Sequence, residues 1–327
     1  MRPIRRILVA VKDPTAKSLP AVTKGAQIAR AFGAHLELFH GISTPLYVDA
    51  YSDRLSLPEL ERNIRAECVQ RLEAIAEKLR KQDLSVSVAA VWDFPVHEAI
   101  VRHAGRNKID LIVAERHAKP HVAPGLLQLT DWELLRNSPV PVLLIKTAAA
   151  YKHPVVLAAI DPAHTLAKPA KLDDEILRIG KAFATALRGP LHAVHAFIPM
   201  IPETLQGRVT GDEALRKIEA ETAAAARRRL TKAVQRTGVP RERAHLLGRH
   251  PIDAIEQTAR KIHSDIVVMG AISRSGLKRF FFGNTAEALL DSLTCDLLIV
   301  KPGHFPARVE KRVRGVRFAV MPFIPGI

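Results

Sequence analysis

Asp265-Ile-Val-Val-Met-Gly270-Ala-Ile-Ser273-Arg-Ser-Gly276-Leu-Lys-Arg-Phe-Phe-Phe-Gly283-Asn284-Thr285 is a buried-strand pattern that runs into a glycine-bearing loop. The apolar i, i+3, i+4 spacing from Ala286 to Leu293 behind it is that of a helix. Strand, loop and helix start in this order bring free backbone N–H groups and the positive end of a helix dipole together. Such a place holds an anionic oxygen without a buried countercharge. Three glycines taken alone also serve tight turns, so the stretch carries both readings.

Working outward, the chain is one module written twice. Ile7-Leu-Val-Ala-Val-Lys-Asp13-Pro14 returns as Val155-Val-Leu-Ala-Ala-Ile-Asp161-Pro162. Gly33 to His40 returns as Arg188 to His195, Ile109-Asp110-Leu-Ile-Val as Ser264-Asp265-Ile-Val-Val, and Val140 to Lys146 as Cys295 to Lys301. The last three matches share one offset (195 − 40, 265 − 110 and 301 − 146 are each 155), which implies a duplication. In each copy apolar runs of strand length alternate with amphipathic runs of helix length, the signature of β-α-β units and a parallel sheet. Copy one predicts strands near 5–12, 35–41, 84–92, 109–115 and 140–146, with helices over Glu59 to Lys81 and Val96 to Arg106. In copy two the long helix spans Asp212 to Thr237 and stops at Gly238. The expectation is an α/β protein of two tandem, doubly wound, five-stranded parallel-sheet domains over 1–148 and 149–302, followed by a basic and apolar tail over 303–327. Ligands of such sheets sit at the carboxyl ends of the strands, where Asp13, Asp161 and the quoted loop all fall.

The 327 residues carry 49 Lys and Arg against 33 Asp and Glu, a formal net charge of +16, which draws polyanions without specifying one. The basic residues lie along helices with no interleaved aromatics, which argues against sequence-specific nucleic-acid reading. Cys68 and Cys295 stand far apart and suggest neither a disulfide framework nor a thiolate metal site. The apolar run behind Arg5 and Arg6 is too short for a signal-peptide core, and no run reaches membrane-span length. A cytoplasmic location and no membrane insertion are expected.

No catalytic constellation emerges. A nucleophile elbow, a paired-carboxylate signature and a Gly-Lys-Ser/Thr phosphate loop are all missing, so no catalytic residue is assigned. Of the histidines, His117 and His121 have chelating spacing only if helical, which Pro120 and Pro124 oppose. His192 and His195, three apart on a strand, point to opposite faces. No metal site is assigned. Lys278 and Arg279 are placed to neutralise phosphate charge, and Phe280 to Phe282 to pack the loop on the sheet.

These residues resemble the universal stress proteins, specifically their tandem, two-domain E type, over roughly 4–302. The resemblance rests on the strand ending in Asp-Pro, on the loop from Gly270 to Asn284, on Gly283-Asn-Thr-Ala-Glu followed by Cys295-Asp-Leu-Leu-Ile-Val-Lys-Pro, and on Thr130-Asp131-Trp132 with Leu134-Leu135-Arg136. It implies strand order 3-2-1-4-5. Nucleotide-binding members carry Gly-x2-Gly-x9-Gly followed by Ser or Thr, cradling ATP phosphates. Here Gly270 and Gly283 match, Ser273 takes the second glycine's place, and Asn284 stands where Ser or Thr is expected, with Thr285 one step on. The acidic residue beside ribose or metal corresponds to Asp161, and in copy one to Asp13. Glu115, Ala118 and Gln128 replace the loop positions in copy one, so that copy is expected not to bind ATP.

The candidate ligand positions are Asp161, Ala196, Gly270, Ser273, Gly276, Gly283, Asn284 and Thr285. The expectation is a stress-response protein that binds a small phosphorylated ligand, ATP with Mg²⁺, in its C-terminal domain, with at most slow ATPase turnover. Two other readings stand beside it: an acylated or lipid-precursor ligand in apolar clefts, and polyanion or nucleic-acid binding through the basic surface. The resemblance also implies a homodimer through the last strand, a pairing that two tandem copies can satisfy between themselves.

Overall fold

The computed structural model describes residues 3–48, 57–116, 129–162, 172–198, 212–270, 284–302, 305 and 309–320. The chain forms two compact units, one of Tyr151–Phe305 and one of Arg2–Ala150 joined by Pro306–Ile327.

In the N-terminal unit β1 (Arg6–Ala10) lies between β2 (His35–Ile42) and β5 (Leu111–Glu115). The edge strands are β4 (Val86–Trp92) outside β2 and β6 (Val142–Ile145) outside β5, and every pairing is parallel. The strands are joined by α1 (Pro20–Phe32), α2 (Leu57–Arg80), α3 (Val96–Arg106) and α4 (Leu129–Asn137). The C-terminal unit repeats the plan. In it β7 (Val156–Ala159) lies between β8 (Leu191–Phe197) and β10 (Ile266–Gly270), with β9 (Ala244–Gly248) and β11 (Asp296–Val300) outside them. Its helices are α5 (Leu172–Ala186), α6 (Asp212–Gln235), α7 (Pro251–Lys261) and α8 (Asn284–Ser292). Numbering the five main strands of either unit in chain order, the sheet reads 3-2-1-4-5.

The strands are continuous apolar runs because both faces of a parallel sheet are covered by its crossover helices. Ile7, Leu8, Val9, Leu111, Ile112 and Val113 are fully buried in one unit, as are Val156, Leu157, Ile266, Val267, Leu297 and Leu298 in the other. One repeated polar device holds the central pair. Asp110, just before β5, accepts the backbone N–H of Arg5 and Arg6 at 2.9 and 3.0 Å, and Asp265, just before β10, accepts that of Val155 at 2.8 Å. The repeated Asp that revealed the duplication is thus a carboxylate that satisfies strand-end donors.

One feature departs from the doubly wound plan. β3 (Leu46–Val48) pairs in parallel with β12 (Phe318–Val320), so the tail is part of the N-terminal unit. Its approach is anchored by polar groups. Arg102 Nε donates to the Glu310 carbonyl at 2.7 Å, Arg106 to the Lys311 carbonyl at 2.6 Å, and the Arg314 N–H donates to Asp93 Oδ1 at 2.9 Å. Asp93 also ion-pairs with Arg102, and their side chains are 1% and 3% exposed.

Candidate functional site

The carboxyl ends of the five C-terminal strands converge where the topology reverses, between β7 and β10. Asp161 follows β7, Ala196 is on β8, Gly270 ends β10, and Asn284 and Thr285 open α8. Ser273, Gly276 and Gly283, with Lys278, Arg279 and the three phenylalanines, lie outside the described residues, as do His117 and His121.

Asp161 is one of the charged side chains described at this end. It is 30% exposed, and its Oδ1 lies 3.7 Å from Nδ1 of His195, which is 1% exposed on β8. Its backbone N–H donates to Oδ1 of Asp173, in the first turn of α5, at 3.1 Å. His195 and Asp173 were not among the expected ligand positions. The signal for the histidine was present: His40 and His195 end the same matched strand, and in the N-terminal unit His40 bonds the Val11 carbonyl through Nδ1 at 2.8 Å. The alternation of β8 separates the two histidines of that strand as expected. His192 meets His245 of β9 at 3.0 Å with its ring parallel to within 8°. Burial and the nearby His245 and Arg243 charges lower the His192 pKa to about 4. Among the described residues no three His, Cys, Asp or Glu side chains lie together as a metal set.

The pairing of Asp161 with Asp13 needs correction. Val11 N–H donates to the Phe39 carbonyl and Ile160 N–H to the Val194 carbonyl, at 2.8 and 3.0 Å. Because Phe39 and Val194 are 155 residues apart, Val11 corresponds to Ile160, and Lys12 to Asp161. A slip of one residue turns a side chain to the other face. Asp13 accordingly does something local: its Oδ1 accepts the Thr15 N–H at 2.8 Å and the Thr15 hydroxyl at 2.6 Å, bonds that lower its pKa.

Gly270 has a packing role. A Cβ there would lie 2.5 Å from Leu172 Cδ2 and 3.3 Å from Ile176 Cδ1, so the first turn of α5 seats directly on the glycine. Glu115 holds the matching place at the end of β5. Its Oε1 accepts the Ala21 N–H at the start of α1 at 3.0 Å, and Lys24, 1% exposed, donates from Nζ to the Thr147 hydroxyl at 2.6 Å. Since α5 starts at 172 and α1 at 20, equivalent to 175, the C-terminal copy has three more residues of helix there.

The profile described as Universal stress protein family matches residues 3–146 and 156–301, once for each unit. The chain belongs to the universal stress protein family. It does so as a tandem, two-domain protein of the E type, within a stress-response family. Universal stress protein E of Escherichia coli (strain K12) is 25% identical over 315 residues, covering 93% of this chain and 96% of the relative. The Haemophilus influenzae universal stress protein E homolog is 27% identical over 233 residues, covering 69% and 73%. Among solved structures, a functionally unknown protein of Pseudomonas aeruginosa PAO1 has a TM-score of 0.69 at 26% identity, with 92% of this chain and 93% of that one covered. No helix among the described residues of this family member is long and apolar enough to cross a membrane.

Proposed function

We propose that the C-terminal domain binds a small phosphorylated ligand, a nucleotide such as ATP with Mg²⁺, at the carboxyl ends of β7, β8 and β10, and that the N-terminal domain is a scaffold. The difference between Gly270 and Glu115 carries this reading. At one and the same place in the fold, the N-terminal copy ends its fourth main strand in Glu115, which accepts the Ala21 N–H, whereas the C-terminal copy ends it in Gly270 and carries its acids, Asp173, Asp174 and Glu175, on the first turn of α5 itself. A carboxylate on that N–H repels an incoming phosphate; a glycine does not. Asp161, half-buried beside His195, supplies the acidic group for a ribose hydroxyl or a metal ion, and α8 opens with its N-terminus at the end of the glycine-bearing stretch. Among the described residues no general base is assigned, and the domain is read as a binder or sensor with at most slow ATPase turnover.

Titration of the full chain with ATP and Mg²⁺ by calorimetry tests the reading. Binding is expected with an affinity that falls about tenfold in Asp161→Ala, the loss of one charge-assisted contact. Absence of heat at millimolar nucleotide, or an Asp161→Ala variant that binds as before, removes the nucleotide assignment.

A second reading rests on the apolar rim at the same end. Ile198, just past β8, is 53% exposed, and the Phe197 ring packs against Gly248, where a Cβ would lie 3.1 Å from it. That rim suits an acyl chain attached to a polar head. Native mass spectrometry of purified protein distinguishes the two: a copurified acyl species supports this reading, and clean apo protein counts against it.

A further inference from the structure

The second half of α6 and the turn that leads to β9 carry a charge that the rest of the fold does not ask for. Residues 223–245 contain Arg227, Arg228, Arg229, Lys232 and Arg236 on the helix side and Arg241 and Arg243 beyond it, against one acid, Glu242. All seven basic side chains are exposed. They point outward because Ala226, Leu230 and Val234, 3%, 1% and 3% exposed at i, i+4 and i+8, form the buried stripe of the same helix. Arg236 lies 3.6 Å from Asp174. Among the described residues the other six make no ion pair.

The duplicated copy is the control for a merely basic surface. Residues 68–90 hold the same place, 155 residues earlier, on the second half of α2 and the turn to β4. They carry Arg71, Lys78, Arg80 and Lys81 against Glu73, Glu77 and Asp83, a net of 4 − 3 = +1, compared with 7 − 1 = +6 for residues 223–245. Two of those four cations are neutralised on the spot, Arg71 by Glu67 at 2.5 Å and Arg80 by Glu73 at 2.6 Å. The shared fold therefore tolerates a balanced surface here, and the C-terminal copy has an unbalanced one.

We propose that this surface of the C-terminal domain binds the phosphodiester backbone of nucleic acid without reading its sequence. Arg228, Lys232 and Arg236 follow one another at about 6 Å of rise per step, so the charge is strung out along a line. A row of cations suits a chain of phosphates, whereas a single phosphate wants donors that converge. Phe, Tyr and Trp are absent from residues 223–245, so base stacking is not offered and the backbone is what remains to be held. A membrane surface fits less well. The large apolar side chains exposed among the described residues are Leu60 and Ile198, neither in this stretch, and the apolar stripe of α6 is already buried in its own domain. Arg236 reaches the start of α5, where Asp174 stands beside Asp173 of the strand-end site, so the test variants are placed at 227, 228 and 232, away from that contact.

Fluorescence anisotropy of the full chain with a labelled random RNA of about 20 nucleotides reads this directly. Three phosphate contacts give a salt slope of about −2, so raising salt from about 50 to about 200 mM is expected to weaken binding about 20-fold. The triple variant Arg227→Glu, Arg228→Glu, Lys232→Glu is expected to lose at least tenfold in affinity and most of that slope. Arg71→Glu with Lys78→Glu, on the matching surface of the other copy, is expected to change neither. A triple Gln variant at 227, 228 and 232 is expected to show the same loss without charge reversal, and thermal unfolding confirms that either triple variant remains folded. Undiminished binding by the triple Gln variant, a flat salt response, or tighter binding to anionic phosphatidylglycerol vesicles than to RNA at equal phosphate overturns the proposal.

Discussion

The two copies solve one packing problem in two ways, at the end of their fourth main strand. In the C-terminal copy α5 begins early enough to lay Leu172 and Ile176 on the strand, and only Gly270 leaves room for them. In the N-terminal copy the first helix starts three residues later by matched position, and Glu115 fills the space and accepts the Ala21 N–H. The order of the five main strands is the same. A helix N-terminus in this fold needs an acceptor: α1, with no acid in its first turn, takes Glu115 from the strand end, whereas α5 carries Asp173, Asp174 and Glu175 in its own first turn. The tail divides the copies in the same spirit. It docks on Asp93 and Arg102 of the N-terminal unit, while the residue after the matching strand β9 is Arg249.

The tail anchor gives the largest test. Asp93→Ala removes one of the two carboxylates that hold the buried Arg102 guanidinium, Glu98 at 3.0 Å being the other, together with the acceptor of the Arg314 N–H, and is expected to cost the N-terminal unit about 3 kcal/mol in denaturant unfolding, the low end for a broken buried pair. A loss well under 1 kcal/mol breaks the claim that the tail is integral to that copy alone.

Exchanging the two strand-end residues comes next. Gly270→Glu forces a side chain into Leu172 and is expected to destabilise the C-terminal unit by about 3 kcal/mol. Glu115→Gly removes only an acceptor from the start of α1, for about 1 kcal/mol, and is expected not to confer ATP binding. Equal costs for the two changes contradict the asymmetry described above.

Acid is expected to act on the two copies over different ranges. Glu37 and His192 occupy matched positions on β2 and β8. Burial of Glu37 opposes ionisation, but the bond to His103 at 2.8 Å and its charge prevail, and the pKa falls below the ordinary 4.5. A lowered carboxylate pKa stabilises the fold above 4.5 and the contribution is lost below it. His192 has its pKa lowered from 6.5 to about 4, so the unfolded chain takes up the proton first and stability is lost as pH falls through that interval. Urea midpoints measured from pH 7 to 4 are expected to show a loss of about 1 kcal/mol from this group, after solvent screening is allowed for, which His192→Gln removes.

The smallest effect concerns helix ends. Gly33 closes α1 at φ 60°, and Arg188 takes φ 58° at the matching place after α5. Arg188→Gly is expected to raise C-terminal stability by about 0.5–1 kcal/mol, read as a shift in thermal midpoint.

Much of the fold was legible from residues. The apolar runs placed the five main strands of copy one to within a few residues, though not β3, and Val96 to Arg106 marked α3 at both ends, because strand and helix periodicities are local. The site was legible in part. Asp161 and Gly270 do lie at strand ends of one sheet, and His40 with His195 repeated in the sequence without being recognised as a neighbour of the acid. Asp13 was misaligned by one residue since Asp-Pro is a strong local signal and register is not a local property. The use of Gly270 against Leu172 was invisible because it depends on where α5 begins.

The sequence by itself determined the duplication, the parallel α/β class, the family and the retention of glycines in one copy, all of which follow from period, offset and residue type. Tertiary structure decided which carboxylate meets which donor. Only packing brings Glu115 to the start of α1, Asp161 to His195, and a tail more than 200 residues away to Asp93, since each contact joins groups that chain distance alone cannot relate.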